Sequence, residues 1–314
     1  MGDVSEPADE FSFLSDQAAE AGLDVPIPHG ERLSLELADG RTLSALRYGG
    51  GAPVVTFLHG AGLNAHTWDT TILALGLPAL ALDLPGHGDS SWRDDMAYVA
   101  RSLAPDAAAG MDAWTDRPQL LVGHSLGGLT AAALAASRPD LVHELVVIDI
   151  TPGIDPDGGA AQLREFFAGP TDWASREELV ERALAFGLGG SPAAAARGVH
   201  FNSRVRPDGR VEWKHHFARL ANTMASNPAA AEAMDAAQDA MRAVLADTGW
   251  DDFAQTRAPI TLLRGDRGYV TAAEAADFVA RVPQASVVTV PAGHNIQEEL
   301  PVDLGRLLAA AASE

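Results

Sequence analysis

Gly123-His124-Ser125-Leu126-Gly127-Gly128 is the stretch on which the reading of this chain turns. It has the pattern G-x-S-x-G. The residues ahead of it, Pro118-Gln119-Leu120-Leu121-Val122, form a short apolar run with strand character, and those after it, Leu129 to Ala136, an alanine-rich run with high helix propensity. A serine at such a strand-to-helix turn stands at the tip of a tight bend, the nucleophile elbow. A Cβ at either flanking glycine would press on the neighbouring strand or helix. The pentapeptide alone occurs by chance. With a strand before it and a helix after it, the pattern marks Ser125 as a nucleophile.

The segments on either side repeat that alternation. Val54–Leu58, Ala79–Asp83, Leu145–Ile150, Ile260–Arg264 and Ser286–Val290 read as near-continuous apolar strands. Helices are expected between them, at about 67–75, 96–103, 272–282 and 302–311. Strands buried on both faces and separated by helices predict a mainly parallel sheet covered on each side. Ahead of them, Arg32–Leu37 and Thr42–Tyr48 alternate polar and apolar around Asp39-Gly40, a hairpin signal. Residues 1–30 read as an N-terminal extension, with a short helix over Phe11–Glu20 laid on the surface. Between 152 and 255 no convincing strand is read, and helical patterns over Ser175–Phe186, Trp213–Met224 and Ala229–Leu245 dominate. The expected fold is therefore α/β: a doubly wound, mainly parallel eight-stranded sheet built from 31–151 and 256–314. A helical cap, or lid, of residues 152–255 is inserted after the sixth strand.

Composition narrows the function. With 314 residues, 47% of them hydrophobic, the chain can bury a sizeable core. Its formal charge is −21, from 43 acids against 22 bases, and Lys214 is the only lysine. Nucleic acid and anionic membranes are poor partners for such a surface. No apolar run approaches the ~18–20 residues that span a bilayer, and the acidic N-terminus lacks the basic and apolar regions of a secretory signal. The absence of cysteine excludes disulfides, thiolate nucleophiles and Cys-ligated metals. No spacing suggests a metal site. These features predict a cytoplasmic monomer or homodimer acting on a small molecule without metal or cofactor.

A serine hydroxyl is a weak nucleophile and needs a base within hydrogen-bond reach and an acid to orient that base. The chain order at such an elbow is serine, acid, histidine. His294, in Pro291-Ala292-Gly293-His294-Asn295 after the last strand, is the candidate base. Of the other histidines, His124 is expected to point away from the site into packing under the elbow, and His87 to fix a strand-end turn. His215 and His216, adjacent in the insertion, read as surface or interface residues, with substrate contact as the alternative. In His59-Gly60-Ala61-Gly62 the glycines let backbone approach the reacting carbonyl, so the N–H groups of Ala61 and Leu126 are the candidate oxyanion hole. His59, Gly60, Trp173 and Trp213 are candidate substrate contacts, and Phe166, Phe167 and Phe186 candidate lining of an acyl pocket.

Four segments together, Phe57–Gly62, Asp83–Ser90, Gly123–Gly128 and Gly293-His294, resemble the α/β-hydrolase-fold proteins that carry a lid, from about residue 31 to the C-terminus. The resemblance implies a hydrolase but not its substrate, since the family includes esterases, lactonases, thioesterases, carbon–carbon bond hydrolases, epoxide hydrolases and dehalogenases. A serine at 125 argues against the last two, which use a carboxylate nucleophile. The resemblance also implies where the acid sits: usually three residues past a glycine that follows the strand after the lid. Here that position is Gly268. Asp266 stands close by, at a family-typical spacing before His294. A minority of the family take the acid from the end of the strand before the lid, here Asp149. That strand is strongly apolar, and an unpaired carboxylate there would be costly to bury. Asp149 is therefore preferred, with Asp266, which Arg264 or Arg267 could hold in a surface ion pair, as the alternative. The expected activity is hydrolysis of a carboxylic ester or lactone through an acyl-enzyme at Ser125. Cleavage of a carbon–carbon bond on the same triad is the alternative, with Arg204, Arg206 and Lys214 as candidate carboxylate holders. A non-catalytic ligand-binding protein on the same fold is the third.

Overall fold

A computed structural model describes residues 9–152, 170–186, 189–217, 219 and 249–313. Eight strands form one sheet: β1 (Gly30–Glu36), β2 (Thr42–Tyr48), β3 (Val55–Leu58), β4 (Ala79–Asp83), β5 (Gln119–His124), β6 (Val142–Ile148), β9 (Ile260–Gly265) and β10 (Ala285–Val290). Their spatial order is β1-β2-β4-β3-β5-β6-β9-β10. The β1–β2 and β2–β4 pairs are antiparallel and all others parallel. The chain runs outward from β3 to β4, then crosses back to place β5 on the other side of β3. Such a reversal leaves a crevice beyond the carboxyl ends of the two central strands, where ligands of doubly wound sheets bind.

The apolar runs are continuous because alternate residues enter two separate cores. Leu80, Leu82, Leu121, Leu145 and Val147 pack on one face, against α3 (Ala100–Trp114), α4 (Leu126–Ser137) and α7 (Ala272–Arg281). Ala79, Ala81, Leu120, Val122, Val146 and Ile148 pack on the other. There they meet α1 (Leu14–Glu20), α2 (Asp69–Leu75) and α8 (Pro301–Ala311). Each fully buried leucine contributes roughly 1.5–3 kcal/mol. Together they make the strand ends a rigid platform.

Three regions differ from expectation. The N-terminal segment does more than lie on the surface. Leu14 and Ala18 belong to the second core, and Glu10 is bonded to Arg32 at 2.6 Å. Helix α3 runs on past the expected end near 103 because Pro105 is accommodated inside it, where a proline ordinarily stops a helix. The insertion after β6 holds α5 (Arg176–Ala185) and α6 (Pro192–Asn202), but also a hairpin of β7 (Ser203–Val205) and β8 (Val211–Trp213). Strands of three residues are too short to show a period. The turn between them nonetheless carries Pro207-Asp208-Gly209, with Gly209 at φ 79°. Trp213 therefore ends a strand and does not begin a helix. The expected helix over 229–245 lies outside the described residues, as does half of the one over 213–224. Among the described residues no helix is long and apolar enough to cross a membrane.

Candidate active site

Ser125 joins β5 to α4 at φ 53° and ψ −120°. A non-glycine residue in this region stores on the order of 1–3 kcal/mol of strain, so the surroundings must hold it there. They do so by hydrogen bonds: Ser125 N–H donates to Ile148 O at 3.1 Å, and Ser125 O accepts from Gly128 N–H at 2.8 Å. The glycines of the elbow are sterically required. A Cβ on Gly123 would stand 2.3 Å from Gly127 O, and one on Gly127 would stand 2.2 Å from Leu58 O. Leu126 opens α4, so its N–H lies ahead of the first intrahelical bond and at the positive end of the helix dipole.

At the end of the neighbouring strand, Asp149 repeats the pattern, with φ 49° and a fully buried side chain. Its N–H donates to Leu263 O at 2.8 Å. Its carboxylate accepts from the N–H groups of Gly265 at 3.1 Å and Tyr269 at 2.6 Å, and from His294 Nδ1 at 2.9 Å. A carboxylate is an acceptor only, so the His294 proton sits on Nδ1 and leaves Nε2 with a lone pair. Gly268 lies against this carboxylate: a Cβ there would fall 2.3 Å from both of its oxygens. The usual place of the acid is thus the space that the Asp149 carboxylate fills. Asp266 is exposed and paired with Arg267 at 3.1 Å, without contact to His294.

Ser125, His294, His124, Tyr269 and Ala61 line one cavity of about 480 Å³. The imidazole of His294 is held on several sides. Tyr269 stacks on it, with ring centroids 3.6 Å apart and planes 9° from parallel. His124 lies beneath the elbow but touches the site as well. Its Nε2–H donates to His294 O at 3.1 Å, and its Nδ1 accepts from Gln297 at 3.5 Å. Burial and the nearby His294 push the His124 pKa well below the usual histidine range, so it acts as a neutral link. Burial, together with Asp149, raises the Tyr269 hydroxyl and keeps it a neutral phenol.

The remaining residues sort clearly. Trp213, His215 and Phe186 from the insertion line the cavity. His59, Gly60 and Trp173 do not. Both nitrogens of the buried His59 are engaged, Nδ1 with Gly60 O at 2.8 Å and Nε2 with Leu84 N–H at 3.0 Å. Gly60 packs against the His124 ring. Trp173 sits in the insertion's own core, edge-on to Trp213. Phe166 and Phe167 lie outside the described residues. His87 bonds Pro85 O at 3.1 Å within its turn. His215 is not a surface residue. It is 1% exposed, stacks near Trp213, and burial pulls its pKa down to about 3. His216 stacks flat on Trp92, its Nδ1 2.7 Å from the Tyr98 hydroxyl.

A second histidine–carboxylate pair reaches the same cavity, and sequence reasoning missed it. His66 donates Nδ1–H to Asp69 at 3.0 Å, its Nε2 meets Glu10 at 3.3 Å, and Phe201 stacks on its ring at 3.6 Å. The signal available was His-Thr-Trp-Asp at a helix start, a spacing that brings the first and last side chains together. Arg204, Arg206 and Lys214 are paired with Glu212, Asp172 and Asp89 at 2.8, 2.7 and 2.9 Å, and none of them lines the cavity. Among the described residues no cluster of histidines and acids is arranged to hold a metal ion.

Residues 57–306 match the model of the alpha/beta hydrolase family. The esterase Rv0045c of Mycobacterium tuberculosis is 36% identical over 93% of this chain and 92% of its own length. A 2-(acetamidomethylene)succinate hydrolase of Mesorhizobium japonicum is 28% identical over 83% of this chain and 88% of its own. A solved structure of Rv0045c superposes with a TM-score of 0.79 at 34% identity, covering 98% of this chain and 99% of that one.

Proposed function

The chain belongs to the alpha/beta hydrolase family, and from that premise we propose that it hydrolyses carboxylic esters or lactones through an acyl-enzyme at Ser125. The observation that carries this reading is the 2.9 Å bond from His294 Nδ1 to the buried Asp149, which leaves Nε2 with a lone pair in the cavity lined by Ser125. In the proposed reaction, Nε2 takes the hydroxyl proton as Ser125 Oγ attacks the carbonyl carbon. The oxyanion receives the N–H groups of Ala61 and Leu126, each of the order of 3 kcal/mol in comparable sites. The imidazolium then protonates the departing alkoxide. Water attacks the acyl-enzyme with the same nitrogen as base, and acid leaves. Asp149 orients the ring and offsets its charge without accepting the proton.

The insertion, residues 152–255, is the lid in this reading. Phe186, Phe201 and Trp213 present apolar surface to the cavity, which suits an acyl chain. The esterase relative supports the ester class. Arg204, Arg206 and Lys214 are paired with acids and do not line the cavity, which argues against them as carboxylate holders. Carbon–carbon cleavage therefore stands as the second reading, kept by the 2-(acetamidomethylene)succinate hydrolase relative. Turnover of para-nitrophenyl acetate and butyrate, a lactone panel and fluorophosphonate labelling test the proposal. Wild-type protein should turn over and label, and Ser125→Ala should do neither. Unlabelled wild-type protein with no turnover would point to a ligand-binding role instead.

A further inference from the structure

We propose that the ring of Tyr269 is a positioning device for His294, one that holds the imidazole in register with Ser125 and stabilises its protonated form. The inference rests on the reading of His294 as general base. Tyr269 touches both the base and the acid. Its N–H donates to Asp149 Oδ2 at 2.6 Å, the same oxygen that accepts from His294 Nδ1 at 2.9 Å. One residue later than Gly268, its ring turns to stack on the imidazole at 3.6 Å and 9°. The loop is itself pinned to the segment that carries His294, by Asp266 N–H on Val290 O at 2.8 Å and Arg267 N–H on Ala292 O at 3.0 Å. The loop where this family usually carries the acid thus supplies backbone donors to a displaced acid and an aromatic face to the base.

An imidazole stacked this closely on a phenol ring cannot tilt without losing the contact, so its far nitrogen is held in one direction. When the ring takes the serine proton, the electron-rich face of the phenol attracts the new charge. Asp149 acts in the same sense from the ring edge. The other titratable groups around His294 are the neutral His124, with centroids 4.6 Å away, Glu299, which is held by Gly293 N–H and Arg267, and Glu298 on the cavity wall. The aromatic face therefore favours the imidazolium over the neutral imidazole.

The test is the acid limb of the kcat/KM profile on para-nitrophenyl butyrate for Tyr269→Leu, Tyr269→Met and Tyr269→Phe. All three keep the backbone N–H to Asp149, and Met keeps most of the volume should Leu impair folding. The limb should move about 0.5–1 unit to lower pH in Leu and Met, with kcat down roughly tenfold, and should stay in place in Phe. An unmoved limb in Leu and Met would mean that the ring only packs. A limb moved to higher pH would mean that it only excludes water. Either result overturns the proposal, as does a Phe variant that shifts as far as Leu. His294→Ala separates the two levels of inference. Its retention of full turnover would remove the base assignment itself, whereas its loss beside an unmoved Tyr269→Leu limb removes the Tyr269 role alone.

Discussion

His294 and His66 both line the cavity, and each donates Nδ1–H to a buried aspartate, at 2.9 Å to Asp149 and 3.0 Å to Asp69. Their surroundings then diverge. Among the described residues the His294 imidazole makes no second hydrogen bond, so Nε2 keeps its lone pair for a proton. At His66, Nε2 is occupied by Glu10, although an aromatic ring stacks on each imidazole, Phe201 on His66 and Tyr269 on His294. Burial opposes charge on His66, but Asp69 and Glu10 outweigh it and lift its pKa to about 9. An imidazole already protonated at neutral pH, with both nitrogens engaged, cannot take a proton from serine. A histidine–aspartate pair becomes a base only where the far nitrogen is left open; closed at both ends, it is a clamp. Backbone strain separates them as well: Ser125 and Asp149 both lie at positive φ, whereas Asp69 begins a regular helix.

Replacing each aspartate by asparagine puts this contrast under the greatest stress. Asp149→Asn should lower kcat by ~10⁴-fold, because an amide in that place favours the wrong tautomer of His294. Asp69→Asn should leave kcat within a few-fold of wild type and lower the unfolding temperature instead. Asp266→Asn, with its partner Arg267 on the surface, should alter neither. Ester turnover and a thermal melt on the three proteins decide the matter. Equal losses from Asp149 and Asp69 would erase the distinction, and a large loss from Asp266 would transfer the acid to the loop.

Gly268→Ala sharpens the comparison with a single methyl group. Gly268 is not at positive φ, so alanine meets no conformational objection there. Its Cβ would fall 2.3 Å from both Asp149 oxygens, and the carboxylate must shift. A displacement near 1 Å in an orienting group costs about 10²-fold in rate. We expect kcat to fall by that order, with KM little changed. An alanine variant of wild-type rate would show that the carboxylate has room to spare and would weaken its assignment to His294.

How far the sequence reaches follows from the same residues. The strands of the large sheet are legible because their apolar runs report burial on two faces, and the elbow because Gly123 and Gly127 have no room for a side chain. Ser125, His294 and Asp149 are reachable from motif, chain order and the cost of burying a lone carboxylate. The stacking of Tyr269, the burial of His215 and the reach of Glu10 to His66 are not. Each depends on how segments distant in sequence meet, and no local period records it. The β7–β8 hairpin is an intermediate case, marked by its Asp208-Gly209 turn although its strands are too short to read.

The smallest effect concerns stability alone and tests the clamp by pH. Glu10 is the complement of His66: burial would raise its pKa, but His66 and Arg32 overcome this and draw it down to about 2. The folded protein therefore holds a proton on His66 that the unfolded chain releases near pH ~6.5. The stabilisation is fully present below that value and declines as pH rises, until it is gone above about 9. On the acid side, the Glu10 contribution is complete above its ordinary value of 4.5 and is lost as pH falls toward about 2. Wild-type protein should thus lose unfolding temperature between about pH 6.5 and 9. His66→Gln should start lower by roughly 3 kcal/mol, since it leaves the buried Asp69 without its cation, and should show a flatter curve over that interval. Calorimetry across the range reads both. A His66→Gln protein with the same pH slope as wild type would mean that the clamp carries no charge. A variant that also lost the acid limb of ester turnover would mean that the two histidines are not the separate devices their surroundings indicate.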